Sequence, residues 1–233
     1  MPESDADLQA ELLRIEVAVD SGDTDLAKLG FWRLVGRVKR DPGLIERYAD
    51  EIGRIDRVAF ERAVRPRFPV WVGNLVLLAG IAFGAICVVV AMRASNGVLA
   101  GLALIVAAGI WSGAVHCPSH WLVGRAVGIR FGAYFVGWKP FPPRPGIKIN
   151  YASYLRTPAR ERAWMHASGA LASKAAPFVA LAFYPVSNAP WWSAAAILAL
   201  GLFQIVTDIL FSTKSSDWKR VSRELAVARS GRN

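Results

Sequence analysis

The hydrophobic rhythm of the chain changes near residue 66. Up to that point apolar positions recur every three to four residues among charged neighbours, as at Leu8, Leu12, Ile15 and Val19, the spacing of helices with one buried face. Ser21-Gly22-Asp23 breaks a first helix, and a second is predicted from about Thr24 to Lys39. Asp41-Pro42-Gly43 punctuates again, and a third runs from about Leu44 to Arg65, where Pro66 stops it. Continuous apolar stretches follow. No charged residue occurs between Phe68 and Met92, a length of about 25 residues that crosses a bilayer core with some tilt. A second stretch runs from about residue 97 to 124 and is rich in small residues that let helices approach closely, among them Gly101, Ala103, Ala107, Ala108 and Gly113. A third covers about 163–184 and a fourth about 191–211.

Between the second and third stretches the period shortens to two. Ile129, Phe131, Ala133 and Phe135 alternate with other residues, as do Ile147, Ile149 and Tyr151, which predicts a short pair of strands around the Lys139 to Gly146 turn region with its four prolines. Ser215-Ser216-Asp217 reads as the N-cap of a basic helix from Trp218 to Arg229. The pattern therefore predicts an all-α polytopic membrane protein with four transmembrane helices, a small strand-containing cytoplasmic loop and a soluble N-terminal helical module. Residues 1–66 form the module, 68–213 the membrane core with spans at about 68–92, 97–124, 163–184 and 191–211, and 214–233 a basic cytoplasmic tail.

Charge sets the orientation. The chain carries 28 Lys+Arg against 18 Asp+Glu, yet up to Arg67 acids outnumber bases 14 to 12, so the surplus belongs to the membrane-spanning part. The loop from Arg125 to Arg162 holds eight bases against one acid, Glu161, and further bases follow Lys214, whereas the opposite side has Arg93 alone. By the positive-inside rule both termini and the central loop are expected in the cytoplasm. The bases follow membrane sidedness and form no continuous basic aromatic face, so the lipid bilayer, not nucleic acid, is the expected partner. Cys87 and Cys117 are the two cysteines, both in apolar tracts, and imply no disulfide framework. The first residues are acidic and polar, and no secretory signal peptide is expected.

The candidate chemistry lies at the inner end of the second span, in His116-Cys117-Pro118-Ser119-His120. Histidines four apart project from one helix face about 6 Å from each other, as required for two imidazoles on one metal ion. Pro118 removes a backbone donor there and should kink the span. His116 lies about 28 Å along the second span and Asp208 about 27 Å along the fourth, so the two reach one depth. His166, near the cytoplasmic end of the third span, falls at a similar level. Ionisable groups in a span usually face the bundle interior and mark function. The expected metal set is His116, His120 and Asp208, with Asp217 or His166 as alternative third ligand, and Zn²⁺ suits these donors.

These residues resemble the site-2 protease family of intramembrane zinc metallopeptidases. The family's H-E-x-x-H motif reads here His116-Cys117-Pro118-Ser119-His120, followed by Leu122-Val123-Gly124-Arg125 and Gly128-Ile129-Arg130-Phe131. Ala167-Ser168-Gly169-Ala170-Leu171-Ala172-Ser173 is similar to its G-P-x-x-N element, with Ala170 for proline and Ser173 for asparagine. Asp217-Trp218-Lys219-Arg220 stands where the family has D-G-G-R, which favours Asp217 as third ligand, against the depth argument for Asp208. The resemblance covers about residues 70–225 and implies a zinc site and hydrolase chemistry. Cys117, however, replaces the glutamate that serves as general base, a contribution of roughly 10²–10⁴-fold.

Three readings follow. The first is a zinc-binding pseudoprotease that engages transmembrane helices of other proteins. The second is a working intramembrane peptidase with another base, such as His166 or Glu161. The third is a metal-free membrane scaffold whose N-terminal helices bind a partner.

Overall fold

The computed structural model describes residues 5–137, 144–211 and 216–230. They are mostly helical and divide into two compact units. One takes the chain up to Val70, from Gly124 to Arg162 and from Arg223 onward; the other takes Trp71–Val123 and Ala163–Ser222.

The first unit opens with three helices, α1 (Asp5–Asp20), α2 (Phe31–Val38) and α3 (Pro42–Ala63). Leu8, Leu12, Ile15 and Val19 of α1 are buried against Phe31, Leu34, Val35 and Val38 of α2 and Tyr48, Ile52 and Ile55 of α3, the core that the spacing predicts. α2 starts seven residues later than the expected Thr24, for a local reason. The Asp23 carboxylate accepts from Asp25 N–H and the Asp25 carboxylate from Ala27 and Lys28 N–H, turns that compete with a helix, and Gly30 enters the left-handed region at φ 82°. Asp41 caps α3 by accepting from the N–H groups of Gly43 and Leu44.

The expected strand pair is present as β2 (Phe131–Gly137) and β3 (Arg144–Ile149), antiparallel, and a two-residue β1 (Arg67–Phe68) joins β2 to make the order β1-β2-β3. Tyr151, assigned to the second strand by its alternation, instead begins α7 (Tyr151–Arg156), because Asn150 caps that helix through Ser153 N–H. Gly53 of α3 makes the approach of α7 possible, since a Cβ there would come within 2.8 Å of Ala152. Lys139, Pro140, Pro142 and Pro143 of the expected turn, and Lys214 and Ser215 of the expected tail, lie outside the described residues.

A buried charge cluster completes this unit. Glu224 accepts from Lys39 Nζ (2.6 Å) and Tyr154 OH (2.8 Å) at Oε1 and from Arg162 Nε (2.6 Å) at Oε2. Arg162 is 0% exposed and spends its Nη1 on the carbonyls of Leu155 and Thr157. Burial pushes the Glu224 carboxyl up, but Lys39 and Arg162 beside it pull it below the ordinary glutamate range.

The second unit contains α4 (Val70–Arg93), α5 (Gly97–Ala114), α6 (His116–Ala126), α8 (Ala159–Leu181), α9 (Trp191–Leu210) and the first turns of α10 (Asp217–Arg229), with α4, α6, α8 and α10 crossing its limits in sequence. Four helices are long and apolar enough to cross a membrane: α4, α5, the stretch Ala159–Val186 and α9. Small residues face inward, with Ala100, Ala103, Ala107 and Ala108 buried. Gly84 receives the indole of Trp111, whose Nε1 donates to the Ile81 carbonyl, and Gly201 receives Phe178. Large side chains such as Trp71, Leu75, Leu202, Phe203 and Ile209 point outward, an apolar exterior over a small-residue interior.

The expected second span divides at Val115 into α5 and α6. Pro118 is the cause: lacking N–H, it cannot continue the ladder of α5, but it fits the first turn of a new helix. Ser119 N–H bonds Val115 O at 3.1 Å and resumes the pattern.

Candidate metal centre

The break at Val115 puts both histidines in the first two turns of α6, on one face of that helix. Their Nε2 atoms are 3.3 Å apart and their rings nearly perpendicular, at 86°. Asp217, the first residue of α10, brings Oδ2 to 3.3 Å from His116 Nε2 and 3.3 Å from His120 Nε2. Among the described residues, His116, His120 and Asp217 form the one group of three or more metal-type donors. A tetrahedral ion with nitrogen and oxygen ligands at about 2.0–2.1 Å separates those ligands by about 3.3–3.4 Å. The three contacts match one face of that tetrahedron.

The groups behind the histidines aim them. His120 Nδ1 lies 2.6 Å from the Met165 carbonyl, which only accepts, so Nδ1 donates there and the ring turns Nε2 toward Asp217. His116 Nδ1 meets the Ser173 hydroxyl at 3.0 Å. Gly169 leaves the space that the His120 ring fills, since a Cβ there would stand 2.3 Å from Nε2. Two imidazole nitrogens and a carboxylate oxygen thus converge on one point, a donor set that could hold a metal ion. Burial pushes the Asp217 carboxyl up, but hydrogen bonding and the charge of His116 and His120 outweigh it and hold the group well below the usual carboxylate range.

Zinc fits this donor set on its chemistry: two imidazoles and one carboxylate, with second-shell acceptors fixing the rings. Asp208, the depth-matched third ligand, is not part of the group. Its Oδ2 instead takes Lys174 Nζ at 3.2 Å and Trp218 Nε1 at 2.7 Å. Asp217, the alternative carried by the resemblance, occupies the third position. His166, the other alternative, is 3% exposed and places Nδ1 4.0 Å from Asp217 Oδ1, on the carboxylate oxygen away from the histidine pair. Glu161 belongs to the first compact unit.

Cys117, in the position of the family's glutamate, is 2% exposed. A buried thiol is no carboxylate base, and nothing else at this position takes the glutamate's part.

Sequence reasoning missed the Met165 carbonyl as the partner of His120, because backbone acceptors carry no residue signature. The α8 face was legible: His166, Gly169 and Ser173, spaced three and four apart, all face the metal-type cluster. Comparison of the chain with protein-family models, with characterised proteins and with solved structures gave no match.

Proposed function

We propose that this chain is a multi-pass membrane protein, with both termini cytoplasmic, that holds one Zn²⁺ through His116 Nε2, His120 Nε2 and the Asp217 carboxylate. It is a site-2-protease-like pseudoprotease. The observation that carries the metal reading is the triangle of 3.3 Å contacts among two imidazole nitrogens and one carboxylate oxygen. The chain's own residues supply its geometry: Met165 orients the His120 ring, Ser173 turns His116, and Gly169 makes room. When bound, the ion supplies a Lewis-acid centre that polarises an acyl oxygen. Cys117 stands where the family has its glutamate and gives that centre no carboxylate base, so ordinary peptide hydrolysis is not supported.

The test is metal content. Purified full-length protein is expected to carry close to one zinc per chain, and a His116→Ala/His120→Ala variant almost none. Zinc undiminished in that variant, or absent from the native protein, sinks the metal reading.

A second reading, a peptidase that uses His166 as its base, rests on the buried His166 imidazole beside Asp217. It requires cleavage of a transmembrane substrate that both a chelator and His166→Ala abolish.

A further inference from the structure

Asp208 is a carboxylate within an apolar helix, and its partners are specific. One oxygen, Oδ2, receives both Lys174 Nζ from α8 at 3.2 Å and Trp218 Nε1 from α10 at 2.7 Å. Both ionic side chains are mostly withdrawn from solvent, at 23% and 25% exposure. Lys174 supplies the charge that lets the carboxylate reside there. Trp218 supplies a direction, because an indole donates along one line only.

Trp218 follows Asp217 in the chain. Successive residues of an α-helix diverge by about 100°. Asp217 points at the two Nε2 atoms while Trp218 points at Asp208, so the two side chains fix the start of α10 about its own axis. A rotation of α10 that keeps only one of these contacts breaks the other. We infer that Asp208, charge-balanced by Lys174, is a positioning residue: through the Trp218 indole it sets the rotation of α10 that delivers Asp217 to His116 and His120. The inference rests on the metal reading above, with Asp217 as ligand.

Zn²⁺ affinity of the full-length protein in detergent, measured by competition with a chromophoric chelator, separates this role from simple packing. Trp218→Phe keeps the ring but removes the donor, and is expected to weaken zinc by about 10–100-fold, the usual cost of losing an outer-shell partner. Asp208→Asn paired with Lys174→Gln keeps an acceptor for the indole and removes both charges, and is expected to stay within about threefold of the native affinity. Asp208→Ala paired with Lys174→Gln removes the acceptor too and should match Trp218→Phe. Native affinity in Trp218→Phe overturns the proposal.

A second measurement needs no metal. In a protein carrying His116→Cys and Asp217→Cys, with Cys87 and Cys117 changed to Ala, a short thiol-to-thiol cross-linker is expected to join positions 116 and 217, and Trp218→Phe to slow that joining. Joining that Trp218→Phe leaves unchanged overturns the positioning role. A native protein without zinc whose engineered pair still responds to Trp218→Phe sinks the metal reading and leaves the anchor of α10 standing.

Discussion

Two buried polar clusters, one in each compact unit, differ in how their charges close. Around Glu224 one carboxylate meets an ammonium, a guanidinium and a phenol, so donors and acceptors balance, and only Arg162 Nη2 is left without a partner. Around His120 two imidazole nitrogens and a carboxylate oxygen meet in a triangle of 3.3 Å contacts. The first cluster is closed by permanent cations, Lys39 and Arg162. The second gathers metal-type donors that could hold an ion, and is the candidate site. The kind of partner that each carboxylate meets distinguishes the two.

The largest expected effect breaks the self-sufficient cluster. Glu224→Gln leaves Lys39 and the fully buried Arg162 without a counter-charge and should lower stability by about 3–5 kcal/mol, read from denaturant unfolding. His120→Ala measured in excess chelator leaves the Met165 carbonyl without its donor and should cost less, about 1–3 kcal/mol. A cost for His120→Ala as large as for Glu224→Gln erases the contrast.

Metal dependence comes next. Zinc at about a hundred times its dissociation constant should stabilise the native protein by about 2.7 kcal/mol, and a His116→Ala/His120→Ala variant not at all. Gly169→Ala belongs to the same series: its Cβ would stand 2.3 Å from His120 Nε2, so zinc affinity should fall by at least about tenfold, the scale of a disturbed ligand shell, and metal-free stability by about 1–3 kcal/mol as the buried ring is displaced.

The smallest effect is the pH response. The Glu224 carboxyl is held below its ordinary value in the folded state, so its contribution is fully present above the ordinary glutamate range and is lost as pH falls through the folded value. Lys39, Arg162 and Tyr154 face this group, and Arg223 bears on Lys39. Asp56 acts in the opposite sense: burial raises its carboxyl despite Lys148 at 2.6 Å, so its contribution grows as pH falls. Stability followed across mildly acid pH should lose its downward slope toward acid in Glu224→Gln and steepen that slope in Asp56→Asn.

Much of the fold was legible because it rests on period. Long apolar runs mark the four apolar helices, three-to-four spacing marks the N-terminal core, and alternation marks β2 and β3. What escaped depends on single side chains that end or start an element. Asp23, Asp25 and Gly30 delay α2, Asn150 turns Tyr151 from strand to helix, and Pro118 divides a span into α5 and α6. For the site, the i, i+4 histidines were visible directly. Depth along a straight span pointed to Asp208, but depth ignores where a chain returns after the span ends. Asp217 comes back at the start of α10, and Asp208 turns to Lys174 and Trp218 instead.

The most direct test of the central claim is X-ray absorption at the zinc edge on the purified full-length protein. The expected spectrum shows a low-coordinate shell of nitrogen and oxygen at about 2.0–2.1 Å with outer scattering from two imidazoles and no sulfur. A sulfur shell at about 2.3 Å would place Cys117 on the metal, and a shell without imidazole scattering would remove His116 and His120 from it. Either contradicts the account.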